Sequence, residues 1–95
     1  MKSLSEIKNL LQQHKESLFD KYPLSAMAIF GSYARNEATE TSDIDILVDF
    51  RQPVGMELVD LALELEKYLG ITVDIFYPKP NSRLLPYIQN ELIYV

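Results

Sequence analysis

Two aspartates, Asp43 and Asp45, lie two residues apart within an apolar segment of this 95-residue chain. Residues at that spacing in a β-strand point to the same side of the sheet, with Cα atoms about 6.5–7 Å apart. Two ionised carboxylates placed so closely repel one another, and one pKa rises unless a cation lies between them. Mg²⁺ suits this position, because it commonly uses one or two protein carboxylates together with substrate phosphates. The pair therefore indicates a site for a metal-bound phosphate substrate.

A third carboxylate has similar surroundings, since Asp74 lies between Val73 and Ile75. Asp is otherwise disfavoured in strands, where β-branched residues are enriched. If the strand that carries Asp74 pairs beside the strand of Asp43 and Asp45, three carboxylates meet at one end of the sheet. Three acids around two metal ions are suited to in-line displacement at phosphorus.

Donors for a phosphate precede these acids in the sequence. Gly31 and Ser32 follow an apolar run and are separated from Asp43 by ten residues. A strand that ends in Gly and turns into a helical segment presents backbone N–H groups to an anion, and Gly permits a close approach. Ser32 adds a hydroxyl donor. Taken alone, Gly-Ser after a strand is more often only a turn, and Ser42-Asp43 also has the composition of a turn.

The elements that must position these residues are predicted in the order helix, strand, strand, helix, strand, helix. Ser3 and Glu6 have the spacing of a capping box at the start of the first helix, and Gly70 is suited to end the second. The periodicity predicts helices over 4–19, 56–69 and 81–90, and strands over 26–30, 43–50 and 71–77. This order predicts an α+β fold in which helices pack against a small mixed β-sheet.

The strand over 43–50 has one apolar and one more polar face. The apolar face consists of Ile44, Ile46, Val48 and Phe50, and the opposite face of Asp43, Asp45, Leu47 and Asp49. The core can cover the first face while a metal-bound nucleotide uses the second. Asp49 is roughly 13 Å from Asp45 at the usual strand rise, so we expect it to be a solvated strand end.

Other polar residues receive structural interpretations. His14 lies on the apolar stripe of the first helix, and a His there is more often packed or at a rim than a ligand. The acidic residues of the second helix are expected to form its solvent-facing side: Glu57, Asp60, Glu64 and Glu66. The C-terminal segment 90–95 is expected to pack on the core or on a partner, because its last three residues are apolar.

Composition limits the possible functions. The net charge is −5 and the nine Lys and Arg residues are scattered, which argues against direct binding of nucleic acid through a basic face. The absence of Cys excludes disulfides and a thiolate site. We find neither a signal peptide nor an 18-residue apolar run, so no membrane association is expected. We expect one cytoplasmic domain over residues 1–95.

The stretch over 31–50, GSYARNEATETSDIDILVDF, resembles the signature of the DNA polymerase β-like nucleotidyltransferase superfamily. It is most similar to the minimal branch, the MNT-domain proteins that act as antitoxins to HEPN-domain toxins. Three further features agree with this branch: the Tyr-Ala-Arg segment over 33–35, Ser42, and the later VDIF segment over 73–76. The resemblance covers nearly the whole chain. One departure is Asn36, where many relatives have Gly, but Asn also tolerates the left-handed conformation.

The resemblance implies roles for the residues that bind nucleotide. Gly31 and Ser32 would hold the triphosphate of the incoming nucleotide. Arg35 matches a common Arg of the branch and would lie near the phosphates or the base. The alternative for Arg35 is a surface salt bridge.

The same resemblance implies roles for the acids. Asp43 and Asp45 would bind both of two Mg²⁺ ions, and Asp74 would complete the first metal site and help to deprotonate the acceptor hydroxyl. The implied reaction is transfer of AMP from ATP to a tyrosine of the cognate HEPN toxin, whose RNase activity is thereby blocked. Two alternatives are a non-catalytic antitoxin that acts by binding alone and, with less support, nucleotidyl transfer to a small molecule.

Overall fold

Four strands form one mixed sheet, and this computed structural model describes all of residues 1–95. In chain order the elements are α1 (Leu4–Lys21), β1 (Leu24–Phe30), β2 (Ile44–Phe50), α2 (Glu57–Leu69), β3 (Val73–Phe76), α3 (Leu85–Ile88), a 3₁₀ helix (Gln89–Glu91) and β4 (Ile93–Tyr94). The expected mixed sheet and the three helices are present. None of the helices combines the length and the apolar character that a membrane crossing requires.

The strand order is β3-β2-β1-β4. β1 is antiparallel to both of its neighbours, β2 and β4, whereas β2 is parallel to β3. A parallel pair needs a crossover connection, which α2 supplies. This topology brings the start of β2 and the start of β3 to the same end of the sheet.

The core lies between one face of the sheet and the helices α1 and α2. The alternation predicted for β2 is confirmed, because Ile44, Ile46 and Val48 are fully buried and Asp49 is exposed. From the helices, the fully buried side chains are Ile7, Leu11, Leu18, Leu61, Leu65 and Leu69. On the opposite face of β2, Asp45 is half-buried and Leu47 is buried.

The ends of the two long helices follow from local sequence. Ser3 accepts a hydrogen bond from the Glu6 N–H, and Glu6 accepts one from the Ser3 N–H, which confirms the capping box. Gly70 ends α2 in the left-handed conformation, with φ 68°, where a residue without a Cβ is favoured. α1 continues to Lys21, two residues beyond the predicted end, and Pro23 follows it.

The prediction of a wholly solvent-facing acidic side on α2 is wrong for Glu64 and Glu66. Glu57 and Asp60 are exposed as expected, but Glu66 accepts a hydrogen bond from the Val73 N–H at 2.9 Å. That bond fixes the first residue of β3 against α2. Periodicity did not reveal this, because the partner of Glu66 lies on a different element.

Glu64 joins α2 to the end of α1 through Lys21 and Tyr22, and it also binds Tyr68 of its own helix. Its carboxylate accepts hydrogen bonds from the Lys21 Nζ at 2.8 Å, the Tyr22 hydroxyl at 2.9 Å and the Tyr68 hydroxyl at 2.7 Å. His14 stacks on the ring of Tyr68 with 3.7 Å between ring centroids. The packed or rim position expected for His14 is confirmed.

The C-terminal segment differs most from expectation. α3 covers only Leu85–Ile88, with Pro86 in its first turn, and the predicted helix over 81–90 is too long at its start. The chain then forms β4, which pairs with β1 through Ile93 and Tyr94. The expected packing of this segment is thus on the core, as an edge strand.

Candidate active site

The register of the sheet brings Asp45 and Asp74 side by side. They are direct partners in the parallel pair of β2 and β3, and Phe30 at the end of β1 is the partner of Asp45 on its other side. Asp43 lies one residue before β2 and is exposed. Because side chains alternate along a strand, Asp43 points to the same face as Asp45. The structure therefore brings Asp45 and Asp74 together at one end of the sheet, on the face opposite the helices, and places the exposed Asp43 nearby, just before β2.

The pKa of Asp45 is raised by its surroundings. Its side chain is half-buried, and desolvation raises its pKa; the charges of Asp74 and Asp43 raise the pKa further, whereas Arg35 lowers it. Such crowding of carboxylates would be relieved by a divalent cation. The donor set fits Mg²⁺, which prefers carboxylate oxygens.

The acids do not form a ready set of three metal ligands in this structure. Asp43 and Asp74 are exposed, so both side chains can rotate toward Asp45 without disturbing the core. The arrangement supplies charge and proximity, and a bound cation would complete the geometry.

Gly31 and Asp45 are in direct contact. Gly31 has φ +77°, and a Cβ built on it would overlap the Asp45 carboxylate, lying 2.9 Å from Asp45 Cγ. Only glycine leaves room for the carboxylate at this position. The Gly-Ser and Asp-x-Asp parts of the sequence are thus coupled through one steric contact.

A single turn follows Gly31. The Arg35 N–H donates to the Gly31 carbonyl at 3.0 Å, and the Glu37 N–H donates to the Ser32 carbonyl at 2.8 Å. Asn36 has φ 60°, so it does adopt the left-handed conformation expected of it. Ser32 is half-buried at the start of this turn, next to the acids.

A second turn positions Asp43. The Ser42 hydroxyl accepts a hydrogen bond from the Thr39 N–H at 2.8 Å, and the Ser42 N–H donates to the Thr39 carbonyl at 3.0 Å. The two bonds close the polar loop immediately before Asp43. Ser42 therefore stabilises the turn that positions Asp43.

Arg35 forms an ion pair whose partners the sequence did not reveal. Its Nη1 lies 2.9 Å from Glu91 Oε2, and its Nε lies 3.5 Å from Glu37 Oε1. The surface salt bridge considered for Arg35 is present, while its charge also acts on Asp45. Glu91 could not be found from a local pattern, because it comes from the other end of the chain.

Asp43 and Asp74 are exposed, and all three acids lie outside the cavities of the structure. The largest cavity, of about 440 Å³, is on the same face of the sheet, but it is lined by Leu47 and Asp49 and by residues of the C-terminal region. A smaller cavity of about 290 Å³ lies beside Gly70 and the N-terminus. Neither cavity includes Asp43, Asp45 or Asp74.

Comparison with known proteins agrees with this geometry. The nucleotidyltransferase domain family matches residues 11–95. This match covers most of the chain, so the chain belongs to the nucleotidyltransferase domain family. The protein is therefore an enzyme of this class, and the prediction of its family and fold is confirmed.

Its relatives narrow the class to adenylyltransferases. Protein adenylyltransferase MntA of Thermococcus cleftensis is 37% identical over 97 residues, covering 100% of this chain and 98% of the relative. A protein of Methanocaldococcus jannaschii, named as a candidate protein adenylyltransferase, is 49% identical over 100 residues and 100% of both chains. These relatives support adenylyltransferase activity.

Solved structures show the same fold. A candidate minimal nucleotidyltransferase aligns with a TM-score of 0.72 and 31% identity, over 97% of this chain and 95% of the other. A candidate nucleotidyltransferase from Sulfolobus solfataricus aligns with a TM-score of 0.55 and 25% identity, over 99% of this chain and 86% of the other.

Proposed function

We propose that this protein is a Mg²⁺-dependent protein adenylyltransferase that transfers AMP from ATP to a tyrosine hydroxyl of a HEPN-domain toxin. In this proposal it acts as the antitoxin, and residues 1–95 work as one domain without direct binding of nucleic acid. The observation that carries the proposal is the direct pairing of Asp45 with Asp74 beside Gly31.

Each site residue has a part in the proposed reaction. Gly31, Ser32 and Arg35 bind the phosphates of ATP. Two Mg²⁺ ions would be held by Asp43, Asp45 and Asp74, where they would neutralise charge on the phosphates and lower the pKa of the attacking hydroxyl.

The proposed reaction is a displacement at the α-phosphorus of ATP. The tyrosine oxygen forms a bond to this phosphorus, and the bond from phosphorus to the bridging oxygen of the β-phosphate breaks. The electron pair of the broken bond leaves with pyrophosphate. Asp74, at the edge of the cluster, accepts the proton of the hydroxyl.

An acceptor from another protein suits the open position of the acids. The acids line neither cavity, so a surface residue of a second protein can approach them. The relatives named as protein adenylyltransferases also support a protein acceptor. The tyrosine and the HEPN toxin rest on the sequence resemblance.

The test uses ATP labelled at the α-phosphate, Mg²⁺ and the purified product of the neighbouring gene. We expect label on a tyrosine of that product and release of pyrophosphate, whereas ATP labelled at the γ-phosphate leaves no label. Asp45→Asn should reduce the rate by about 100-fold or more, because it removes a carboxylate that would hold the Mg²⁺ ions at the reacting phosphate.

Asp49→Asn is the matched control, since Asp49 is an exposed acid on the same strand and face, away from Asp45. It should label the partner at the wild-type rate. A partner that binds tightly but is never labelled would contradict the enzymatic proposal. Label on a small molecule alone would favour nucleotidyl transfer to a small molecule, the alternative with less support from the sequence.

A second candidate is neutralisation by binding alone. The net charge of −5 favours it, because an RNase site that grips RNA is commonly basic and would attract an acidic partner. If Asp45→Asn neutralises the toxin as well as wild type does, binding suffices. If the variant forms the complex but no longer neutralises, catalysis is required.

A further inference from the structure

The C-terminal segment brings a fourth acid to the catalytic end of the sheet. β4 is antiparallel to β1, and Ile93 is the partner of Ile29. When this register is continued by two residues, Glu91 is level with Gly31. The position of Glu91 therefore follows from the pairing of the last strand with the first.

Glu91 is the principal partner of Arg35. Its carboxylate is 2.9 Å from Arg35 Nη1, and only 20% of its side chain is exposed. Glu37 is more distant from the guanidinium, at 3.5 Å from Nε, and 63% of its side chain is exposed. Because water screens the second pair more strongly, Glu91 is the acid that fixes the guanidinium.

The ion pair leaves most of the guanidinium available. Arg has five N–H donors, and the hydrogen bond to Glu91 uses one of them. Almost half of the Arg35 side chain is exposed, and its charge acts on Asp45 across the site. Arginine donors near a metal-binding acid are well suited to bidentate contacts with phosphate.

We propose that Glu91 is a positioning residue that holds the Arg35 guanidinium beside Gly31 and Asp45, with its remaining donors directed to the phosphates of a nucleoside triphosphate. The inference rests on the proposed nucleotide site and adds a residue to it. It also gives β4 a purpose, because pairing of β4 with β1 sets the position of Glu91.

If Glu91 positions Arg35, neutralising Glu91 should change the affinity for the nucleotide in the opposite direction from that expected if Glu91 acts only through its charge. Glu91→Gln removes a negative charge close to the bound phosphates, so charge alone predicts tighter binding of the nucleotide. Positioning predicts weaker binding, because the guanidinium is no longer held at the site. The direction in which the affinity for the nucleotide changes therefore distinguishes a positioning role of Glu91 from a purely electrostatic effect.

The experiment measures the dissociation constant of a non-hydrolysable ATP analogue with Mg²⁺ by calorimetry, without an acceptor. We expect Glu91→Gln to raise this constant about fivefold, the upper range for one partly exposed ion pair. The same substitution made in an Arg35→Ala background should have no weakening effect, since Glu91 acts through Arg35. Glu91→Asp keeps the charge but shortens the side chain, and it should also weaken binding.

Glu37→Gln is the matched control, because it removes the same charge from the other acid near Arg35. It should change the dissociation constant by less than about twofold, as expected for a screened surface pair. Unchanged or tighter binding by Glu91→Gln would overturn the inference, and so would equal weakening in the Arg35→Ala background.

The two proposals can fail separately. If wild type binds no nucleotide, the proposed function fails and Glu91 has no role in positioning. If wild type binds and labels its partner while Glu91→Gln binds equally well, only the positioning role is overturned. Thermal unfolding of each folded variant excludes a general loss of structure as the cause.

Discussion

The contact between Gly31 and Asp45 links the two halves of the site at the scale of single residues. Gly31 has φ +77°, and the Asp45 carboxylate occupies the space where a Cβ would lie. Gly31→Ala should therefore lower the free energy of unfolding by about 2 kcal/mol, from backbone strain together with displacement of the carboxylate. Denaturant unfolding measures the loss, and nucleotide binding should weaken with it.

Gly55→Ala is the control for this substitution, because a Cβ at Gly55 meets no atom within 4 Å. It should change the stability by less than about 0.5 kcal/mol. Combining Gly31→Ala with Asp45→Ala should recover the part of the loss that comes from the contact. If the loss is the same with and without the Asp45 side chain, backbone strain alone explains it.

Residues with a local signal could be predicted from the sequence, and the others could not. Asp45 and Asp74 were identifiable because each interrupts a run of β-branched residues, where an acid is disfavoured. The contact of Gly31 with Asp45 and the ion pair of Arg35 with Glu91 depend on which strands pair and in what register. No spacing along the chain encodes either contact.

At the scale of elements, hydrogen bonds to Glu64 connect the end of α1 to α2. The hydrogen bond from Lys21, followed by those from Tyr68 and Tyr22, lowers the pKa of Glu64 from 4.5 to about 2. A depressed folded-state pKa stabilises the fold above pH 4.5, and this contribution is lost as the pH falls toward 2. Glu64→Gln should cost about 1 kcal/mol at pH 7, a value reduced by solvent screening of the exposed Lys21.

The difference between Glu64→Gln and wild type should therefore shrink as the pH falls from 5 to 2. Chemical denaturation at several pH values gives the measurement. Glu16→Gln on the exposed side of α1 is the control and should unfold with wild type throughout. A difference that stays constant down to pH 2 would mean that the ionised state of Glu64 is not what fastens the helices.

The long elements were predictable and the short C-terminal ones were not. α1 and α2 have strong periodicity and end signals, and β2 alternates clearly, so their bounds were correct within two residues. β4 has only two residues, Ile93 and Tyr94, too few for a period to appear. Its existence depends on the free edge of β1, which only the assembled sheet provides.

At the scale of the whole molecule, the charge of Asp45 opposes folding at the place where we propose that the chemistry occurs. The net charge is −5, and the raised pKa of Asp45 results from its desolvation and from repulsion by Asp74 and Asp43. An acid whose pKa is raised on folding destabilises the folded state once it is ionised. The protein thus keeps at its site a charge cluster that a bound cation would stabilise.

The thermal unfolding temperature (Tm) should show that the charge of Asp45 destabilises the folded state. In EDTA at pH 7, Asp45→Asn should raise the Tm by about 3 °C, because it removes a desolvated and repelled charge. Millimolar Mg²⁺ should raise the Tm of wild type by roughly 2–5 °C through binding to the folded state, and should not raise that of Asp45→Asn. NaCl at matched ionic strength corrects for general screening of the acidic surface, and Asp49→Asn should respond to Mg²⁺ as wild type does. If Asp45→Asn gains as much from Mg²⁺ as wild type, the stabilisation belongs to the surface charge as a whole and the acids at the start of β2 and β3 are not the metal site.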